Sequence, residues 1–462
     1  MSNPLFNEFS EVSAKQWKQK IQFDLKGADY NETLVTKTLE GIDIKPFYHK
    51  EGLKTFPTKK YSPSWKIVHR IKVVDEADAN EKAIEAFKNG VEAIEFVIFS
   101  DKTALNLLLA NINLNNVTIY FNPQFISLEF TKKLAEITQN SNRLHFLDQD
   151  IINNLAKSGN WYENLEKDHN KLESIVKLAP ANMGVLSIDA TLYQNSGANA
   201  IQQLAYALAH ANEYLNYLHN RQIKLTHKTP LRFKIAIGND YFIEIAKLRA
   251  LRILYSTLAK EYGLNDECFI QAEPSLRNKT LYDYNVNMLR TTTECMSAIL
   301  GGADAICNLP YDALYNNANA FGDRISKNQL LILKHESYFD KVSNPVDGTY
   351  YIEELTRQLA QEALTLFKQI ETGGGFLNQL KEHTIQRKIK ENAAKEQEQF
   401  NNGKRVLVGT NKYENPQDTM SENLELNPFR KKEARKTIIE PILIKRLAEE
   451  LEKQRLATEK SE

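Results

Sequence analysis

Met183-Gly-Val-Leu-Ser-Ile-Asp-Ala-Thr-Leu-Tyr-Gln-Asn-Ser-Gly-Ala198 reads as a buried strand that breaks at polar residues and runs into a helix. Helical spacing follows at Ile201, Leu204, Leu208 and Leu215, one face of a 3.6-residue period. In a parallel α/β fold, such a strand-to-helix exit sits at the mouth where chemistry is done. This exit carries Asp189, Thr191, Leu192 and Tyr193, with no histidine, no cysteine and no close carboxylate pair.

The same alternation repeats on both sides. Eight β-rich apolar runs occur in order: Trp65–Val73, Val91–Phe99, Val117–Asn122, Arg143–Asp148, Met183–Ala190, Leu231–Gly238, Cys268–Glu273 and Asp304–Pro310. Their starts lie between 26 and 48 residues apart, which leaves room for at least one helix each. Glu76–Asn89, Ile126–Thr138, Ala200–Leu218, Phe242–Tyr262 and Tyr284–Leu300 read as helices. Strand–helix alternation implies a parallel sheet with both faces covered, and eight strands suit closure into a (β/α)8 TIM barrel. A doubly wound open sheet is the alternative. The count of eight, and the lack of any Gly-x-Gly-x-x-Gly after a strand, favour the barrel.

Bulk properties fit this class. The chain has 462 residues, 42% hydrophobic and 26% charged, with 59 basic residues balancing 59 acidic ones. Nothing in that balance favours nucleic acid or an anionic membrane. Three scattered cysteines, Cys268, Cys295 and Cys307, give neither disulfide nor zinc spacing and fit a reducing cytoplasm. No basic segment precedes an apolar run at the amino terminus, and no apolar run nears the roughly 20 residues of a membrane helix.

Residues 1–40 form an amino-terminal arm whose Phe6, Phe9, Trp17, Ile21, Phe23 and Leu25 are too few for a core. Such an arm docks on its own barrel or on a partner. Residues 41–350 form the barrel, and residues 351–462 a helical carboxy-terminal extension. Within it, Ile352–Ile370 is a helix stopped at Gly373-Gly-Gly375, Phe376–Phe400 a charged helix, Arg405–Val408 a short strand and Lys431–Lys460 a helix-prone segment. No Gly-Lys-Ser/Thr follows the three glycines, so they are no phosphate loop.

Metal binding is not expected, because the nine histidines are scattered singly; His69 and His145, in or beside strands, read as structural. A nucleophile elbow is absent. Asn122, Asp148, Asp189, Asn239, Asp240, Glu273 and Asn308 gather at strand exits, and Asp189 with Glu273 is the one pair suited to acid–base work. Loop polarity alone produces such groups in most parallel barrels. An Asp-x-His-x-x-Gly cobalamin loop is missing, and no further run of β/α units follows residue 410, so no cobalamin domain is expected.

Several stretches together resemble the methylmalonyl-CoA mutase family. They are Gly41-Ile-Asp-Ile-Lys-Pro-Phe-Tyr48, the Ser187–Ala198 loop, Asn287-Met-Leu-Arg-Thr-Thr-Thr-Glu294, Arg324–Leu333, Asn344-Pro-Val-Asp-Gly-Thr-Tyr-Tyr-Ile-Glu353, Gly373-Gly-Gly-Phe376 and Val408-Gly-Thr-Asn-Lys-Tyr413. The resemblance spans roughly residues 1–430 and implies a barrel whose axis accepts the pantetheine arm of an acyl-CoA. Its departures are as informative. Catalytic chains carry Tyr-His in this loop, where Thr191 and Leu192 stand here, so the hydrogen bond to the substrate carbonyl is lost. Arg70 occupies the place of a substrate-bordering tyrosine, and the histidine motif expected around Gln271–Arg277 is gone.

The chain is therefore similar to the small (beta) chains of heterodimeric mutases, in a short form. That resemblance implies no catalytic residue here (Thr191, Leu192 and Arg70 being degenerate positions) and no cofactor or metal held by this chain. It also implies a large (alpha) partner carrying adenosylcobalamin, a heterodimer interconverting (R)-methylmalonyl-CoA and succinyl-CoA, and a place in propionate metabolism. On this reading the aromatic arm is a candidate wrap around the partner. Two alternatives stay open: a catalytic substrate-binding chain of a split cobalamin-dependent mutase, and an independent TIM-barrel hydrolase or lyase using Asp189 and Glu273.

Overall fold

The computed structural model describes residues 8–52, 64–223, 225, 230–429 and 435–459. Phe6, singled out above, lies outside the described residues, as does His227, one of the nine histidines. Eight parallel strands close into a barrel: β1 (Lys66–Val73), β2 (Ala93–Ile98), β3 (Thr118–Pro123), β4 (His145–Gln149), β5 (Met183–Asp189), β6 (Arg232–Ile237), β7 (Phe269–Pro274) and β8 (Ala305–Cys307). Each pairs with its neighbour in sequence, and β8 closes the ring on β1 through Ala305–Lys66, Ile306–Ile67 and Cys307–Val68. All eight fall within the apolar runs, give or take a residue, so the (β/α)8 expectation holds.

The helices that follow these strands are α1 (Glu76–Lys88), α2 (Leu128–Thr138), α3 (Leu165–Leu178), α4 (Ala200–Asn220), α5 (Tyr241–Glu261), α6 (Val286–Leu300) and α7 (Ala320–Leu331). Their inner faces and the outer faces of the strands make one continuous apolar core. Short helices at Leu105–Leu108, Ile151–Ser158 and Thr191–Asn195 fill the remaining exits. Beyond the barrel, α8 (Tyr350–Thr372) packs against α4 and α5. Its approach is fixed by Arg249, sealed at 1% exposure, which ion-pairs Asp347 and donates Nη2 to Glu353 Oε1 at 2.7 Å. The Asn344–Glu353 stretch is thus tied down from the barrel side.

Three readings of the carboxy-terminal extension need correction. Phe376–Phe400 is two helices, Phe376–Lys381 and α9 (Thr384–Asn401), broken where His383 takes φ +59°. Arg405–Val408 is no strand; one isolated bridge joins Val408 to Lys412. Of the Lys431–Lys460 segment, residues 431–434 and 460 lie outside the described residues, and among the rest only Glu449–Glu459 is helical. Residues 436–447 run instead as a largely extended strap, because Pro441 lacks an amide donor and restricts Glu440 before it. The strap's backbone is satisfied by the barrel: Ile442 N–H donates to Ala156 O at 2.8 Å, Lys445 to Asn195 O at 3.1 Å and Leu447 to Arg277 O at 2.9 Å.

In the arm, the helix Ala14–Asp24 begins at a capping box between Ser13 and Gln16. None of its residues is buried, and Trp17 stacks on Phe47 at 4.4 Å. A small ribbon, Thr36–Lys37 with Asp43–Ile44, follows and crosses the expected boundary at residue 40.

A closed barrel mouth as the candidate functional site

Alternate residues of a barrel strand point inward. At the amino-terminal end the interior is apolar, with Tyr120, Phe146 and Phe269 packed ring against ring at 4.9–6.1 Å. Above them sits a charged layer that crosses the lumen. Glu95 of β2 accepts from Lys234 Nζ of β6 at 2.7 Å, Gln271 Nε2 of β7 at 2.8 Å, Asn122 Nδ2 of β3 at 2.8 Å and Arg70 Nη2 of β1 at 3.2 Å. Arg232 lies over the Tyr120 ring at 4.2 Å and bonds to Asp148 and Gln271. Arg70 reaches on to Glu273.

The centre of this layer is sealed, with Glu95 and Arg232 0% exposed, Gln271 1% and Lys234 4%, while Arg70 and Glu273 at its rim stay partly exposed. An axial pantetheine arm, as the resemblance implied, has no passage in this structure. Burial alone would push the Glu95 carboxyl up, but Arg70, Lys234 and Arg232 hold it well below the usual carboxylate range. Burial likewise works against charge on Lys234, yet Glu95 and Asp189 raise it above an ordinary lysine. Asp148 goes the other way, with burial outweighing its cations.

The Thr191–Asn195 turn is shut as well. Leu192, 3% exposed, belongs to the apolar core. Thr191 donates Oγ1 and N–H to Asp189 Oδ1, at 2.5 and 3.2 Å. Tyr193 bonds to His210 Nδ1 at 2.9 Å, and His210 Nε2 meets Asp150 Oδ1 at 2.8 Å. With the Nε2 proton given to Asp150, Nδ1 accepts from the tyrosine. Asp150 also accepts from Tyr214 Oη, from Asp189 N and from Asn153 N, the last as the N-cap of Ile151–Ser158. Gly197 keeps its place for space: at φ +97°, an added Cβ would stand 2.5 Å from that of Ala393.

Asp189 and Glu273 are thereby committed to different partners, Thr191 and Arg70. His145 is walled in, its Nδ1 accepting from Ile119 N at 3.2 Å, and burial lowers its pKa to about 4. Asn308 spans to Ser326 and Gln329, and Asp240 caps α5. No group of three potential metal ligands converges among the described residues. The sequence reading overlooked Glu95, Lys234, Arg232, Gln271 and Asp150. The first four had a signal: polar residues at inward positions amid the apolar runs, one in β2 (Glu95), two in β6 (Arg232 and Lys234), and Gln271 with Glu273 in β7.

Comparison with known proteins places this architecture. The methylmalonyl-CoA mutase family matches residues 78–460. The chain belongs to that family. It is 33% identical to the methylmalonyl-CoA mutase small subunit of Porphyromonas gingivalis, over 99% of this chain and 78% of that one. It is 26% identical to the small subunit of Streptomyces virginiae, over 88% of this chain and 71% of the other. The Escherichia coli methylmalonyl-CoA mutase is 31% identical, but over 55% of this chain and 37% of its own length. The mutase family's sequence stretches thus coincide with structural ties, as with Asp347 and Glu353 on Arg249, while the lumen is filled by charge.

Proposed function

We propose that this chain is the non-catalytic small subunit of a heterodimeric methylmalonyl-CoA mutase, acting in the cytoplasm in propionate metabolism. Its partner is a large subunit that holds adenosylcobalamin and interconverts (R)-methylmalonyl-CoA and succinyl-CoA. The observation that carries this reading is the closed lumen: the Glu95 layer leaves no axial passage, and Leu192 offers no hydrogen-bond donor. The residues present do not fit adenosylcobalamin at this mouth either, where Arg70 and Glu273 pair and Thr191 is held by Asp189. The cofactor therefore belongs to the partner on this reading. That several relatives are named small subunits supports a partner. So does an arm helix with no buried residue, ending beside Phe23, 79% exposed.

Size-exclusion chromatography of the tagged chain, alone and mixed with the large subunit, tests this. A shift to one joint peak is expected, with mutase activity found only where the large subunit is present. A chain that never shifts the large subunit sinks the reading. Rearrangement activity with a separate cobalamin protein and no large subunit would instead favour the split mutase.

A further inference from the structure

A second cleft, apart from the sealed lumen, opens between the exits of β5, β6 and β7, the Thr36–Ile44 ribbon and α9. Its volume is about 520 Å³, inside the roughly 300–1,000 Å³ typical of small-molecule sites. Its charges are unevenly spread. On one wall Arg277, 6% exposed, donates Nε to Glu396 Oε2 at 2.6 Å, and Arg405 Nη1 lies 3.0 Å from Glu396 Oε1. Two guanidiniums share that one carboxylate. Lys404 lines the same wall and has no acidic partner among the described residues. Three cations against one anion leave two positive charges in excess.

The facing wall carries Glu40, Asp240 and Glu244 beside Lys37, so the positive excess is confined to the first wall; Glu40 accepts from Ala200 N–H at the start of α4, and Asp240 caps α5. Both helices are 21 residues long, and their amino-terminal dipoles add positive potential to the rim. Between the walls, Leu39 and Ile44 of the ribbon give an apolar ledge. A phosphomonoester dianion matches the excess of two positive charges, and guanidinium forks suit its oxygens. Hydroxyl groups beyond it would donate to the acidic wall, and a flat ring would lie on the ledge. We propose that this cleft binds a nucleoside monophosphate, with the phosphate held by Arg277, Lys404 and Arg405.

Isothermal titration of the full chain with AMP, adenosine and orthophosphate tests it. One AMP per chain is expected, with a dissociation constant below about 1 mM. Lys404→Glu should weaken AMP at least about tenfold, since it reverses an exposed charge that holds up no part of the fold. Lys133→Glu, on the surface of α2, should leave AMP binding unchanged, and both variants should melt with the parent. Absence of AMP binding at about 5 mM overturns the proposal, as does K404E binding as tightly as the parent. Adenosine binding as well as AMP would remove the phosphate from the site, and orthophosphate binding as well as AMP would remove the nucleoside; either result also overturns it.

Discussion

Glu95→Gln removes one charge from the middle of the lumen and almost no volume. The layer holds three cations, Arg70, Arg232 and Lys234, and three anions, Glu95, Asp148 and Glu273, so its net charge is zero. The substitution leaves a net charge of plus one in a layer whose centre is buried. Breaking a buried ion pair on one side costs about 3–5 kcal/mol. In a chain of this size that lowers the melting temperature by roughly 3–5 °C. The cause is charge rather than shape, so E95Q combined with Lys234→Met, which restores neutrality, should be less destabilised than E95Q alone. Urea unfolding at pH 7 followed by circular dichroism reads both. The parent's Glu95 titrates below its unfolded value, so its contribution is complete above the ordinary carboxylate range and fades as pH falls through the folded value. E95Q should therefore approach the parent as the pH drops. An E95Q protein melting within about 1 °C of the parent at pH 7, or a double variant worse than the sum of its parts, would refute the reasoning.

Other expectations follow from the same geometry. His145 stays neutral in the fold with a pKa of about 4, whereas the unfolded chain takes up the proton near 6.5. Stability should thus fall between pH 6.5 and 4, by roughly 3 kcal/mol at most from this residue; His145→Gln should flatten the fall, and a flat parent profile would contradict it. Arg249→Met strands Asp347 and Glu353 and should cost about 3–5 kcal/mol, read as a lower urea midpoint and faster proteolysis near residue 345. Leu192→His puts an imidazole into the apolar core, where it should cost about 1–3 kcal/mol. That variant should gain no mutase turnover with adenosylcobalamin, and appearance of turnover would show that the lumen opens.

The eight strands were legible because each barrel strand is a nearly continuous apolar run, and helices between them carry a plain 3.6-residue stripe. What filled the lumen was also on view, but as isolated letters. Glu95 in Ala-Ile-Glu-Phe-Val-Ile and Lys234 in Arg-Phe-Lys-Ile-Ala-Ile sit at inward positions of a period-two pattern. A charge there needs a partner across the barrel, and which residues would meet was not readable from a single strand. The strap was misread for a different reason. Ile438, Ile439, Leu443 and Leu447 keep a helix-like spacing, but Pro441 stops the helix, and distant carbonyls of Ala156, Asn195 and Arg277 take up the backbone. Sequence singled out Thr191 and Leu192 as degenerate positions; that they would lie under cover was not readable from it.

That strap also has a bearing on how the chain is made. Arg277 Nη1 donates to Lys445 O at 2.5 Å across 168 residues of sequence, and Leu281 N to Glu452 Oε1 at 2.8 Å across 171. A ribosome adding about 5–20 residues per second needs on the order of ten to thirty seconds to cover that gap. During this interval the barrel can close, while Asn195 and Arg277 still lack the backbone partners that the strap brings. The mouth is therefore set late in synthesis, and a nascent chain lacking the strap would leave the carbonyls of Asn195 and Arg277 without the amides of Lys445 and Leu447.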